Sequence, residues 1–130
     1  MENTYKVDIV SPEKVVFSDE NIEEVILPSY EGEMGILKDH ISIISFLKPG
    51  IIKINSEKTE EKYYIEDGIV EFNNNNLSIL TSFIFNVKDM DKSKIEEIIK
   101  KAENELKSDK IDDQKKYLID QKIDTLKFIN

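Results

Sequence analysis

Tyr5, Val7 and Ile9 alternate with Lys6 and Asp8. A period of two marks a strand with one buried and one wet face. Short runs rich in β-branched and aromatic residues follow at 14–17, 23–27, 34–37, 51–54, 62–65, 69–72, 77–80 and 83–87. Between them lie residues that turn a chain: Ser11-Pro12, the segment from Pro28 to Gly35, Pro49-Gly50, Asp67-Gly68 and four consecutive asparagines at 73–76. Asparagine adopts positive φ more readily than most residues, so the four-residue run predicts a hairpin turn. Many short strands punctuated in this way predict a β-sandwich or barrel.

The period changes at residues 86–91. Ile95, Ile98, Ile99, Ala102 and Leu106 recur at helical spacing and form one apolar stripe. Asp91 stands where an N-cap is needed, its carboxylate able to accept from the first unpaired backbone N–H groups. Ser108-Asp109-Lys110 interrupts the stripe. A second helix starts near Asp112 or Asp113 and puts Ile119, Ile123 and Leu126 on one face. Two helices with a short polar link make an αα-hairpin. Helices this short are marginal alone in water, so they must pack on each other, on the sandwich or on a partner. The expected fold is therefore mainly β with appended α: a sandwich of about ten short strands over residues 1–88, then an antiparallel helix hairpin over 89–130.

Composition narrows the function. The 130 residues carry a net charge of −9, with 27 acids and 18 positive side chains, every one of them lysine. Residues 1–88 hold 16 acids and 8 lysines, residues 89–130 hold 11 and 10, so the excess of acid lies in the sandwich. Nucleic-acid binding by counterion release needs a basic footprint that this chain lacks. Without arginine there is no guanidinium fork for two-point recognition of phosphate or carboxylate. Absence of cysteine excludes disulfides and thiolate metal sites and fits a reducing compartment. The opening MENTYKVDIV has no basic leader or apolar core of a secretory signal. The apolar stretch at 41–47, broken by Ser42 and Ser45, is far short of the roughly 20 residues that span a bilayer. A soluble protein, at most peripheral to a membrane, is expected.

No constellation for catalysis emerges. Glu31 and Glu33 lie two apart in the glycine-bearing segment Tyr30-Glu31-Gly32-Glu33-Met34-Gly35. A pair of catalytic carboxylates needs a cleft that drives their pKa values apart, and nothing in the sequence supplies one. A recognition loop or a plain surface turn is the alternative. His40, the sole histidine, has no second imidazole or thiolate to share a metal and no nucleophile motif beside it. It reads as a partly buried side chain holding a loop. The four glycines form no phosphate-cradling pattern. Lys115, Lys116, Lys122 and Lys127 offer contact with an acidic partner. Interleaved Asp113, Asp120 and Asp124 make a solvated mixed-charge face the simpler account.

The residues also resemble a family. Tyr5 through Glu13 with Val16-Phe17-Ser18 is similar to the first hairpin of the ε (epsilon) subunit of F-type ATP synthases. The likeness continues through Glu31-Gly32-Glu33-Met34-Gly35-Ile36-Leu37, His40, Leu47-Lys48-Pro49-Gly50 and the segment from Tyr64 to Glu71. It ends with Met90-Asp91 opening a charged helix that includes Lys101-Ala102-Glu103. Each piece is short, but their order and spacing cover nearly the whole chain.

The resemblance implies a flattened N-terminal sandwich and a C-terminal helical hairpin. It implies a non-catalytic rotor part with no active site, bound to the γ subunit and resting on the ring of c subunits. That part couples flow of protons, or sodium ions in some members, to ATP synthesis by the catalytic αβ head. Glu31, Gly32, Glu33 and Met34 match the segment that meets the ring, with Glu33 the foremost contact; His40 lies in the adjoining loop, facing the ring or γ. The implied place is the cytoplasmic face of a bacterial inner membrane, or the stromal face of a plastid thylakoid. In many members the hairpin extends transiently into the head and inhibits hydrolysis, and in some it binds ATP through aliphatic-Asp-x-x-Arg-Ala. This chain departs there: Met90-Asp91-Lys92-Ser93-Lys94-Ile95 replaces the arginine by Lys94 and the alanine by Ile95. With Asp91 and Lys94 left of the motif and the fork geometry lost, no useful ATP affinity and no cofactor are expected. The mixed charge of the second helix, which runs to Asn130, predicts weak or absent inhibition. The competing expectation is a free-standing acidic β-sandwich binding module that dimerises through Ile95, Ile99 and Leu106 of its hairpin.

Overall fold

A computed structural model of the chain describes residues 3–108 and 110–129. Asp109, within the expected interruption between the helices, and the terminal Asn130 lie outside the described residues. The strands are β1 (Tyr5–Val10), β2 (Val15–Ile22), β3 (Glu24–Ser29), β4 (Gly32–Leu37), β5 (Ile43–Leu47), β6 (Gly50–Asn55), β7 (Glu60–Ile65), β8 (Gly68–Asn73), β9 (Asn76–Leu80) and β10 (Ile84–Asn86). A 3-10 turn at Val87–Asp89 leads to α1 (Lys92–Leu106) and α2 (Asp113–Ile129).

The strands form one sheet in the order β10-β7-β6-β3-β5-β8-β9-β1-β2, with β4 paired to the other side of β3. Its pairs are antiparallel except β1 with β9. β3 and β5 meet only at Ser29 and Leu47. There the sheet folds over, leaving β10, β7, β6, β3 and β4 facing β5, β8, β9, β1 and β2. Alternate residues from both halves fill the space between them: Val25, Leu27, Ile52, Ile54 and Ile65 against Val7, Ile9, Val70, Phe72, Leu77 and Ile79. All of these are nearly inaccessible to solvent. Gly50 is dictated by this packing, because a Cβ there would lie 2.5 Å from Cβ of Pro28.

Nine strands overlap the predicted runs, with β2 extending to Ile22 and β3 and β4 taking in all of the expected turn from Pro28 to Gly35 except Tyr30 and Glu31, and the sandwich with its helical appendage is as expected. The tenth, β5, was not among the predicted strands. Its residues are apolar at both parities, Ile43 and Leu47 inward, Ile44 and Phe46 outward, so no alternation announces it. The asparagine turn is borne out: Asn74 and Asn75 have φ of 50° and 59°, and Asn73 pairs with Asn76 across a two-residue hairpin.

The helices start where their caps stand. Asp91 Oδ1 accepts from the Lys94 backbone N–H at 2.8 Å, and Asp112 Oδ1 accepts from that of Lys115 at 2.8 Å. The two helices pack through Ala102, Ile119 and Ile123, with Ile99, Leu106 and Ile111 at the margin. Leu126 and Ile95 then close over Tyr64 of β7 and Met90. β7 shows the consequence, since Tyr63, Tyr64 and Ile65 are buried in succession. Tyr63 and Ile65 face the sandwich interior while Tyr64 lies under the hairpin. The stripe suggested for dimerisation is thus spent inside the chain. Ile95 is 2% exposed, and Ile99 and Leu106 pack against the intrachain clusters. No helix among the described residues is long and apolar enough to cross a membrane.

Candidate functional site

The sandwich has two outer faces, and they are treated differently. The outer face of β10, β7 and β6, carrying Phe83, Phe85, Tyr64 and Ile51, is covered by the hairpin. The outer face of β5, β8 and β9 is bare. Phe46 stands opposite Ile69 on the next strand, and Ile69 opposite Leu80 on the one after, making an apolar row across three strands. These side chains are 63%, 42% and 53% exposed, and Ile44, two residues before Phe46, is 71% exposed. Single exposed apolar residues are ordinary, but a contiguous patch rimmed by polar groups marks a contact surface. A groove of about 820 Å³ runs along the row, with Tyr30 and Glu31 at one margin and Gln114 of α2 at another.

Sequence reasoning missed this face. The available signal was parity: Ile69 and Leu80 lie out of step with the core residues Val70, Phe72, Leu77 and Ile79 of their own strands. A one-faced strand would place polar residues at the outward positions.

The segment from Glu31 to Met34 does come together. It forms the tight β3–β4 hairpin, with Ser29 opposite Gly32 and Pro28 opposite Glu33. Gly32 has φ of 121°, a conformation that L side chains rarely adopt. The hydroxyl of the buried Ser29 donates to the Gly32 carbonyl at 2.7 Å and accepts from the Glu31 N–H at 3.3 Å, which fixes the turn. Glu31 and Glu33 are exposed, while Met34 packs its side chain toward the core. The acids therefore project from a rigid corner beside the apolar groove.

His40 is not part of that corner. It follows the opposite end of β4, about 20 Å from the turn at the rise of an extended strand. Its Nδ1 lies 2.7 Å from the Ile41 carbonyl, and its ring meets Phe72 edge-on with centroids 5.9 Å apart. The reading of His40 as a loop-holding side chain agrees with this geometry.

Asp91 and Lys94 each have a role in the fold. The Asp91 carboxylate caps α1, and the Lys94 ammonium sits 4.2 Å from the centre of the Phe85 ring, a cation–π contact that ties α1 to β10. The cleft beside them is lined by Lys94, Lys101 and Lys122 but equally by Glu66, Glu97 and Glu105. Three carboxylates offset three ammoniums, a poor environment for phosphate. Lys122 is engaged as well, 3.4 Å from Glu66, whose other oxygen accepts from the Tyr64 hydroxyl at 2.9 Å. Burial first, and the Glu66 carboxylate second, push the Tyr64 phenol well above its ordinary range. Lys48 adds a further tie, its ammonium donating to the Tyr117 hydroxyl of α2 at 3.2 Å. Among the described residues, no three His, Cys, Asp or Glu side chains are grouped to hold a metal ion.

Comparison with known proteins agrees with this architecture. Residues 4–87 match the family described as ATP synthase, Delta/Epsilon chain, beta-sandwich domain. An ATP synthase epsilon chain of Pelagibacter ubique is 63% identical over 130 residues, all of both chains. Another, from Parvibaculum lavamentivorans, is 31% identical over 121 residues, covering 92% of this chain and 90% of the relative. Among solved structures, a chain in the mitochondrial ATP synthase of Euglena gracilis superposes with a TM-score of 0.74 at 20% identity, covering 93% of this chain and 76% of that one. A chain from the central stalk and c-ring of the Tetrahymena thermophila mitochondrial ATP synthase gives 0.68 at 16% identity, with 95% and 92% covered. At those identities the likeness concerns the fold. The sandwich match and the full-length sequence relatives together establish that this chain belongs to the ATP synthase delta/epsilon chain family.

Proposed function

We propose that this chain is a non-catalytic central-stalk subunit of a bacterial, proton-translocating F-type ATP synthase, docked on the γ subunit through the bare face of β5, β8 and β9. In this reading residues 1–88 form the γ- and ring-binding unit. The corner at Glu31, Gly32, Glu33 and Met34 is presented to the c-subunit ring, and His40, at the far end of β4, belongs to the γ side. The subunit links rotation of the ring to ATP synthesis in the αβ head and has no active site of its own. Its place is peripheral, on the cytoplasmic face of the inner membrane, which the bacterial relatives favour over a plastid. Residues 89–130 form a hairpin that contacts the head only if it extends, inhibits weakly and needs no ATP.

The observation that carries the reading is the apolar row of Phe46, Ile69 and Leu80, left open on a chain whose apolar surface over β10, β7 and β6 is already covered. A rotor connector has to transmit torque, and a rigid sandwich gripped over a three-stranded face does so with little compliance.

The test is recovery of partners by the tagged full-length chain from gently solubilised membranes. Wild-type chain should bring down γ, head and ring subunits. F46E should lose γ while its melting temperature stays near wild type, because Phe46 is 63% exposed and lies outside the core cluster. E31K/E33K should reduce ring recovery and keep γ. Recovery of γ by F46E at the wild-type level would remove the assigned face.

A further inference from the structure

Four consecutive asparagines are more than a two-residue turn needs. Only Asn74 and Asn75 occupy its left-handed positions. The side chains of Asn75 and of Asn73, the latter outside those positions, reach sideways to the loop between β4 and β5. Asn75 Oδ1 accepts from the Asp39 backbone N–H at 2.7 Å, and Asn75 Nδ2 donates to Asp39 Oδ1 at 2.9 Å. Asn73 Oδ1 accepts from the Ser42 hydroxyl at 3.1 Å. The Asn75 backbone is itself anchored, its carbonyl accepting from the Lys6 N–H at 3.2 Å.

Asp39 is where the loop reverses, with φ of 67°. A non-glycine residue in that region costs free energy and persists when its surroundings hold it. The reciprocal pair with Asn75 supplies that hold. Immediately after it come His40, set against Phe72, and Ile41, which is 76% exposed. Ser42 then enters the outward parity shared by Ile44 and Phe46. A shallow recess of about 440 Å³ beside Ile44 is bounded by Ser42, Glu71 and Asn73. The bare face therefore runs the length of β5, from Leu80 and Phe46 at one end to the asparagine-held loop at the other.

We propose that Asn75, supported by Asn73, is a positioning residue for partner docking: it fixes the loop at residues 38–42 so that His40 and Ile41 form the far rim of the face that γ grips. This rests on the reading of that face as the γ contact. The asparagine does not touch the partner. It acts through Asp39, lowering the ordering cost that a mobile rim would add to binding.

The test uses full-length chain and its own γ subunit, with three readouts: the dissociation constant, amide exchange at residues 38–42 and the melting temperature. N75A removes both bonds and should weaken γ binding about tenfold while the loop amides exchange at least as much faster. N75D sets a second carboxylate against Asp39 and should weaken binding further. The pair D39N/N75D exchanges donor and acceptor across the same contact and should return affinity to within about threefold of wild type. N74A strains the turn at a residue whose side chain holds no part of the loop. It should lower the melting temperature and leave affinity unchanged. Affinity losses in N74A and N75A that simply follow their losses of stability would overturn the proposal, as would failure of a folded D39N/N75D to recover binding. If F46E abolishes binding while N75A and N75D match wild type, the positioning role alone is refuted. If F46E binds normally, the docking face fails and this role fails with it.

Discussion

Truncating Leu126 to alanine should loosen the hairpin and leave the sandwich intact. Leu126 has no exposed surface and lies between Tyr64 of β7, Met90 and Ile95 of α1. Deleting most of a buried leucine removes its transfer free energy and leaves a cavity, together about 3 kcal/mol within a measured range of roughly 2–5. That loss falls on an element with little stability to spare, because helices of 15 and 17 residues are marginal in isolation. Outside the cluster, the hairpin is tied to the sandwich by Lys122 to Glu66, Lys94 over Phe85 and Lys48 to Tyr117. The latter two are exposed or partly exposed contacts worth about 1 kcal/mol or less each.

Hydrogen exchange resolves where the loss acts. If the hairpin opens as its own unit, 3 kcal/mol raises its exchange about a hundredfold. Amides of α1 and α2 should speed up by that factor. Those of β6 and β7, which are paired through Gly50–Asn55 and Glu60–Ile65 and filled from the opposite half, should keep their wild-type rates. Equal acceleration of strands and helices would show one cooperative unit and refute the division into a sandwich of residues 1–88 and a separable hairpin. Unchanged helices would refute the assignment of Leu126 as the docking contact.

The alkaline limb of stability should depend on Tyr64. Its phenol stays protonated in the fold well above the unfolded pKa near 10. Above pH 10 the unfolded chain sheds that proton and the folded chain does not, so stability falls by about 1.4 kcal/mol per pH unit for this group. Tyr64→Phe should flatten the fall of urea midpoints between pH 9 and 11, and parallel slopes would contradict it. Removing residues 89–130 should change the ATP hydrolysis rate of the assembled synthase little, given the balanced charge of the hairpin; strong activation on truncation would show a working brake.

Much of the fold was legible because local and tertiary preferences agree. Tyr5, Val7 and Ile9 alternate and all three are buried. Asp91 and Asp112 cap the helices that their positions announce, and Ile119, Ile123 and Leu126 form the inner face of α2. What failed was the reading of residues apolar at both parities. β5 was lost because Ile44 and Phe46 face outward while Ile43 and Leu47 face inward, and a period of two vanishes when both faces are apolar. The same ambiguity hid the bare face, since an apolar outward residue looks alike under a hairpin, as Ile51 is, or open to water, as Ile69 is. The corner at Glu31 to Met34 was visible because glycine at positive φ punctuates it. Its separation from His40 was not, because closeness in sequence hides the length of an intervening strand.

The two outer apolar surfaces differ in what covers them. Tyr64, Phe83, Phe85 and Ile51 are covered by a segment of the same chain, whereas Phe46, Ile69 and Leu80 are open to solvent. The two apolar surfaces lie on opposite halves of the folded sheet and share no side chain. Release of the hairpin would therefore expose the first without dismantling the second, and a γ subunit seated on β5, β8 and β9 would keep its grip. The hairpin approaches the groove at Gln114, and at Tyr117, whose hydroxyl accepts from the Lys48 ammonium. The cover over β10, β7 and β6 and the open row on β5, β8 and β9 are therefore separable in the fold, so that L126A should disturb the first and F46E the second, each without the other.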